Sequence, residues 1–143
     1  MAAFSLDSSC IVAAVCGWHA QHAAAARALE RRLAKGDRLV VAAHALVEAY
    51  AVLTRLPAPH RLTPADAWEL LEANFVSDAD VAALSGSAHA ALLATLSQAG
   101  IGGGLTYDAL IATSARHGKA AELLTFNRRH FDSVADDIDM IEP

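Results

Sequence analysis

The chain has 143 residues, of which 55% are hydrophobic and 19% charged, so a single domain over residues 1–143 is expected and extensive disorder is excluded. Its net charge of -5 excludes a generally basic protein that binds polyanions without local cationic clusters or metal. Mean hydropathy is +0.31, but charges or glycines interrupt every apolar stretch before about 18 residues, so no membrane span is expected. With no secretory signal and two cysteines that fit no disulfide framework, a cytoplasmic location is predicted.

Strand and helix signals alternate along the first half of the chain. An apolar run ends at Asp7 and is followed by Ser8 and Ser9, which are good helix caps, so a strand is expected to lead directly into a helix. Gly36 and Pro57 are typical stop signals for the next two helices. The elements predicted here are strands at residues 4–7 and 39–43 and helices at residues 21–34 and 44–55.

The second half continues this alternation. Thr63 and Pro64 supply a cap and a first-turn proline for one helix, and Gly100 and Gly118 end two others. The predicted elements are helices at residues 63–73, 79–99 and 106–117 and strands at residues 75–76, 123–126 and 140–141. Strands that alternate with helices predict an α/β fold with a mainly parallel sheet, and ligands bind such folds beyond the carboxyl ends of the strands.

Three carboxylates are candidates for a site at the carboxyl ends of the predicted strands. Asp7 ends the first strand, Glu48 is the only charge between His44 and Arg55, and Asp108 lies near a helix start. Each also has a structural interpretation, as a turn or cap residue, as the partner of an arginine, and as an acid favoured by the helix dipole. The apolar surroundings of Glu48 predict burial and therefore a cation, a metal or a proton. Carboxylates that meet at one edge of a sheet suit Mg²⁺ or Mn²⁺.

Four segments of the sequence resemble the signature segments of PIN-domain proteins. The length and the amino-acid sequence of the whole chain resemble those of the VapC toxins of bacterial toxin–antitoxin pairs. The segments are Leu6-Asp7-Ser8-Ser9, Glu48 in its apolar helix, Tyr107-Asp108-Ala109-Leu110-Ile111-Ala112, and Leu124-Thr125-Phe126-Asn127-Arg128-Arg129-His130-Phe131. The resemblance implies a three-layer α/β/α sandwich and an endoribonuclease that depends on Mg²⁺ or Mn²⁺.

By motif position, the resemblance implies that Asp7, Glu48 and Asp108 bind the metal. Asn127 occupies the fourth position, which is commonly Asp in the family, and an uncharged amide there predicts one well-occupied metal rather than two. Ser9 matches a position where the family often has a hydroxyl near the first acid, so the resemblance implies that Ser9 contacts the substrate, and a helix cap is equally compatible with it.

RNA is the substrate that the resemblance implies. Because the acids repel RNA, metal must compensate and the neighbouring Arg128 and Arg129 are expected to hold flanking phosphates. The resemblance also implies a VapB-type antitoxin, whose basic side chain would relieve repulsion among the acids, and a homodimer, for which the alanine-rich helices could provide the face.

Two other functions stay open. Asn127 favours a PIN-like module that has lost activity and binds RNA or protein. A Mg²⁺-dependent phosphatase of the haloacid dehalogenase type also begins with an aspartate at a strand end, but Ser9 stands where its second aspartate belongs. Cleavage of RNA that EDTA abolishes separates these functions.

Overall fold

The computed structural model describes residues 2–134 and 137–143, which contain five strands and seven helices. The strands are β1 (Ala3–Leu6), β2 (Arg38–Ala42), β3 (Asp80–Ala82), β4 (Glu122–Leu124) and β5 (Asp139–Ile141). The helices are α1 (Ser8–Val15), α2 (His22–Ala34), α3 (Ala43–Arg55), α4 (Pro64–Phe75), α5 (Gly86–Ala99), α6 (Leu105–His117) and α7 (Arg128–Phe131). No helix in these described ranges combines the length and hydrophobicity that crossing a bilayer requires.

The sheet has the strand order β3-β2-β1-β4-β5, and all four pairings are parallel. This confirms the predicted α/β sandwich. The chain moves outward from β1 to β3 and then returns to the other side of β1 to form β4. The order of the strands therefore switches between β1 and β4, and crevices at such switch points are where open parallel sheets bind ligands.

Buried apolar residues on the central strands explain why this sheet lies inside the molecule. All four residues of β1 are buried, as are the last four of β2, which is typical of a parallel strand covered on both faces. Small side chains bring helices close to it. Ala45 and Ala49 of α3 are fully buried, and a Cβ at Gly118 would contact the side chain of Val40.

The third strand is not where the sequence predicted it. Residues 75–76 were expected to form a strand, but Phe75 is the last residue of α4 and lies in its buried stripe with Ala67 and Leu71. The four-residue spacing of these three side chains is that of a helix face, which explains the error. The third strand is β3, and the helix expected from residue 79 begins at Gly86, where the Ser85 hydroxyl accepts a hydrogen bond from the backbone N–H of Ala88.

Helix α3 is not buried on all sides, contrary to the prediction from its apolar sequence. Val47 is 64% exposed, Tyr50 is also exposed, and the Glu48 side chain is 34% exposed. The apolar residues of α3 divide between the sheet and the solvent, so Glu48 lies at a boundary. Cys10 and Cys16 are buried free thiols, as predicted.

Candidate active site

The site lies at the carboxyl edge of the sheet, where β1 and β4 end. Asp7 follows β1 and Thr125 follows β4, side by side, because Leu6 is in register with Leu124. Glu48 comes from the middle of α3, and Asp108 from the first turn of α6. Three separate elements therefore bring an acid to the switch point of the sheet.

Asp7 is buried and held by three hydrogen bonds. Its Oδ1 accepts from the hydroxyl of Ser9 at 2.6 Å and from the backbone N–H of Cys10 at 3.0 Å, and its Oδ2 accepts from the hydroxyl of Thr125 at 2.5 Å. The hydrogen bond from the backbone N–H of Cys10 makes Asp7 the N-cap of α1. The cap is therefore neither Ser8 nor Ser9, which the sequence offered as possible caps. Burial raises the pKa of Asp7, and these hydrogen bonds act in the opposite direction.

Two hydroxyls also fix the segment after β4 against Asp7. The Ser9 Oγ accepts from the backbone N–H of Phe126 at 3.4 Å, and the Thr125 Oγ1 accepts from the backbone N–H of Asn127 at 2.9 Å. Sequence reasoning missed Thr125, although its position at the carboxyl end of the strand beside β1 was a usable signal. The two hydroxyls therefore fix the position of the backbone at Phe126 and Asn127.

Glu48 accepts a hydrogen bond from a hydroxyl and lies near a histidine. Its Oε1 accepts from the Ser8 hydroxyl at 3.1 Å, and its Oε2 lies 3.6 Å from the Nε2 of His44. The His44 ring stacks on Tyr107 with 5.1 Å between centroids and 3° between planes. Among the described residues no arginine pairs with Glu48, so the alternative of an arginine salt bridge is wrong for residues 2–134 and 137–143.

Asp108 has the clearest electrostatic signature of the site. Its pKa is raised to about 6, chiefly because burial disfavours the charged form; the nearby His130 lowers it, and the charges of Glu48 and Asp7 contribute to the rise. Asp108, Glu48, Tyr107 and His130 line one cavity of about 460 Å³. The three acids therefore act on one another, and perturbed carboxylates in a cleft are typical of functional sites.

The segment after β4 forms a basic rim. Asn127, Arg128, Arg129 and His130 are exposed and line an adjoining cavity of about 420 Å³. Because His130 lines both cavities, it joins this rim to the three acids. Its position beside Asp108 was not predicted from the sequence.

A divalent cation fits the chemistry of this edge. The available donors are carboxylate oxygens, and the pKa of Asp108 is raised by burial and, to a smaller extent, by the charges of Glu48 and Asp7, which a cation would neutralise. Within residues 2–134 and 137–143, however, no three His, Cys, Asp or Glu side chains are grouped closely enough to form a finished metal site. One lone pair of the Asp7 Oδ2 is left after its hydrogen bond with Thr125.

The fold and the acidic edge are those of a known class. The PIN-domain family model matches residues 5–137, and the chain belongs to that family. Its relatives include Ribonuclease VapC40 of Mycobacterium tuberculosis, 40% identical over 123 residues that cover 86% of this chain and 85% of the relative. Ribonuclease VapC27 of the same species is 36% identical over 129 residues, covering 90% of this chain and 88% of that protein. The chain is therefore a homologue of the VapC ribonucleases.

Solved structures show the same fold at lower identity. The crystal structure of VapBC2 from Rickettsia felis, bound to a DNA fragment from its promoter, has a TM-score of 0.68, 21% identity, and coverage of 98% of both chains. Mycobacterium tuberculosis VapC20, described as a toxin that cleaves the sarcin-ricin loop, has a TM-score of 0.68 and 15% identity over 94% of this chain and 98% of that one.

Proposed function

We propose that this protein is the toxin of a toxin–antitoxin pair and an endoribonuclease that hydrolyses RNA phosphodiester bonds with Mg²⁺ or Mn²⁺. The observation that carries the proposal is the set of three carboxylates at the switch point of the sheet, where burial and the charges of Glu48 and Asp7 raise the pKa of Asp108, in a chain homologous to VapC ribonucleases.

Asp7, Glu48 and Asp108 would hold the metal, with Asn127 as a neutral fourth donor. When bound, the ion neutralises charge on the scissile phosphate and lowers the pKa of an attacking water. The hydroxyls of Ser9 and Thr125 orient Asp7, and those interactions leave the Ser9 hydroxyl committed to Asp7. We therefore assign Ser9 to positioning Asp7 rather than to contacting RNA.

The Ser8 hydroxyl orients Glu48. It donates to one carboxylate oxygen of Glu48, and the stack of His44 on Tyr107 keeps the imidazole 3.6 Å from the other. The hydrogen bond from Ser8 holds the carboxylate of Glu48 beside the cavity that it shares with Asp108.

Arg128 and Arg129 are proposed to hold the phosphates that flank the cleaved bond. Both are exposed on the rim next to Asn127, where a strand of RNA can reach them. Their positive charge offsets the repulsion between RNA and the acids.

A VapB-type antitoxin is the proposed inhibitor, acting through a basic side chain that pairs with the acids. Two solved relatives of this fold, from Rickettsia felis and Haemophilus influenzae, are VapBC proteins, which favours such a partner. A homodimer is proposed through the exposed apolar side chains of α3 and α4, which include Val47, Tyr50 and Trp68. The buried free thiols fit action in the reducing cytoplasm.

The test is cleavage of RNA by the purified chain with Mg²⁺ or Mn²⁺, in the presence and absence of EDTA. Cleavage that EDTA abolishes is expected. Binding of RNA without cleavage would favour the inactive module, which the uncharged Asn127 supports, and release of phosphate from a phosphomonoester would favour the phosphatase. Expression in cells should arrest growth unless the antitoxin is co-expressed, and the absence of arrest would contradict the toxin function.

A further inference from the structure

A cleft of about 310 Å³ lies beside Ser9, whose hydroxyl donates to Asp7. It is bounded by α1, the turn before α2, α3 and the segment after β4. The side chains that the inference uses are those of Val12, Val52, Phe126, His19, Gln21 and Asn127. Its volume lies at the lower end of the range for ligand pockets, so it suits one small group.

The lining combines an apolar floor with a polar rim. Val12, Val52 and Phe126 supply aliphatic and aromatic surface, while Gln21 offers an amide with both donors and an acceptor. The backbone N–H of Gln21 donates to the Nδ1 of His19 at 3.0 Å, so the neutral His19 ring carries its proton on Nε2 and presents a donor there. A flat group would fit this cleft if its face packs on the apolar floor and its edge forms hydrogen bonds with the polar rim.

Backbone hydrogen bonds hold the turn that carries this rim. The backbone N–H of His19 donates to the Cys16 carbonyl at 2.9 Å, and that of His22 donates to the His19 carbonyl at 3.0 Å. The neighbouring Trp18 stacks on His60 with 4.1 Å between ring centroids. Contacts within the chain therefore fix the turn beside the cleft.

The cleft also touches the proposed cleavage site. Ser9 lines it and donates its hydroxyl proton to Asp7, and Asn127 lines both the cleft and the cavity of the basic rim. A strand whose phosphates lie along Arg128 and Arg129 thus brings a neighbouring base to the cleft. Sequence-specific proteins recognise unpaired RNA bases by stacking and by hydrogen bonds to their edges.

We propose that this cleft binds one unpaired base of the RNA next to the cleaved phosphodiester, with its face on Phe126 and the valines and its edge read by His19 and Gln21. The inference rests on the proposed ribonuclease function and adds a subsite that determines sequence preference.

The first test measures kcat/KM on short single-stranded RNAs that differ only in the nucleotide on either side of one cleavage site. The wild-type protein should prefer one nucleotide at one of these positions. Gln21→Ala and His19→Ala should each reduce that preference about tenfold, since each removes hydrogen bonds to the edge of a base. Gln98→Ala, an exposed glutamine on α5, is the matched control and should keep the preference.

The second test measures binding without cleavage. RNA carrying 2-aminopurine beside the cleavage site is added to the Asp108→Asn variant in Mg²⁺, and stacking in the cleft should quench its fluorescence. The double variant Asp108→Asn/Val52→Met, in which a longer side chain extends into the cleft, should show little of this quenching. The double variant Asp108→Asn/Gln98→Ala should retain it.

The outcomes separate the two proposals. A protein that cuts no RNA but retains the quenching, with its loss in Val52→Met, contradicts the ribonuclease function and supports the subsite. Cleavage with equal kcat/KM for every sequence, or an unchanged preference in both edge variants, overturns the subsite and leaves the ribonuclease standing. If those variants instead lose only the binding of a co-purified antitoxin, the cleft binds protein and the subsite is likewise wrong.

Discussion

The two edges of the sheet treat their acids in opposite ways. At the amino edge, two of the acids that begin strands are paired with arginines: Arg38 forms an ion pair with Asp80, and Arg32 lies 3.2 Å from Glu122. Arg38 also donates to the backbone carbonyl of Gly118 at 3.0 Å. These contacts join β2 to β3, β2 to the residue that follows α6, and α2 to β4.

At the carboxyl edge, the acids contact hydroxyls, a histidine and one another. In the part of the chain that the structure describes, none of Asp7, Glu48 and Asp108 forms an ion pair with an arginine or lysine. Like charges that remain together cost stability, and a bound cation would relieve them. The acids paired with arginines therefore lie at the amino edge, where they stabilise the fold. The three acids without such partners among the described residues lie at the carboxyl edge, where the proposed chemistry takes place.

Removing one acid from the carboxyl edge should have the largest effect. Asp108→Asn is expected to lower RNA cleavage by at least about a hundredfold because it deletes a charged metal donor. Asp7→Asn should do the same while keeping the fold, since asparagine is also a good N-cap. Cleavage rates and circular dichroism check both variants, with the exposed Asp78→Asn as control. Cleavage at the wild-type rate would refute the metal assignment.

Changing the amino edge should affect stability and not chemistry. Gly118→Ala places a Cβ against the side chain of Val40 and 3.2 Å from the Cβ of Ala82, so an overpacking cost of roughly 1–3 kcal/mol is expected. Urea denaturation measures the loss. The cleavage rate of the folded variant should stay at the wild-type value, and a selective loss of cleavage would contradict the division between the two edges.

Adding charge to the carboxyl edge should improve metal binding. Asn127→Asp is expected to lower the Mn²⁺ concentration at half-maximal cleavage about tenfold, because a charged oxygen donor replaces a neutral one. Calorimetric titration of the metal gives the same comparison without RNA. An unchanged midpoint in both measurements would mean that Asn127 lies outside the metal shell.

The pH dependence of stability should reveal the cost of charging Asp108 in its partly buried, acidic surroundings. The pKa of Asp108 is raised from 3.8 to about 6, so between these values the folded state holds a proton that the unfolded state has released. The stabilisation from Asp108 is therefore full below the lower value and is lost as pH rises through the upper one. In metal-free protein, the stability advantage of Asp108→Asn should grow by about 1 kcal/mol between about pH 4 and pH 7, allowing for solvent screening of a half-exposed group.

Urea denaturation of both proteins across this range provides the measurement. Asp78→Asn is again the control and should show no such growth. A constant difference between Asp108→Asn and the wild type would show that the charge on Asp108 is not destabilising.

The smallest effect is expected for an exposed pair at the amino edge. Arg38→Gln should cost less than about 1 kcal/mol, since both side chains of the Arg38–Asp80 pair are more than a third exposed. Its RNA cleavage should match the wild type. A larger loss of stability would show that the bond from Arg38 to the Gly118 carbonyl matters more than the ion pair.

The sequence predicted the central strands because both are continuous apolar runs that lead straight into helices. It failed at β3, a three-residue edge strand with two exposed residues, because the stronger apolar signal nearby belongs to the helical stripe that ends at Phe75. The four-residue helix α7 was also missed, since it is too short to show periodicity.

The choice of acids at the site followed from residue type and position in the predicted elements. Their supports did not, because the bond from Thr125 to Asp7 depends on the register of β1 with β4, and the contact of Ser8 with Glu48 depends on how α1 and α3 are rotated. A sequence without an alignment contains neither quantity.

The buried thiol beside the site makes the integrity of the site chemically measurable. Cys10 is fully buried, its pKa is raised by burial and by the charge of Asp7, and its backbone N–H is one of the three donors that hold that carboxylate. Because the thiolate is the reactive form, alkylating reagents modify Cys10 only when the start of α1 opens. The rate of alkylation thus reports how often the first acid is released from its hydrogen bonds, with no RNA or metal in the assay.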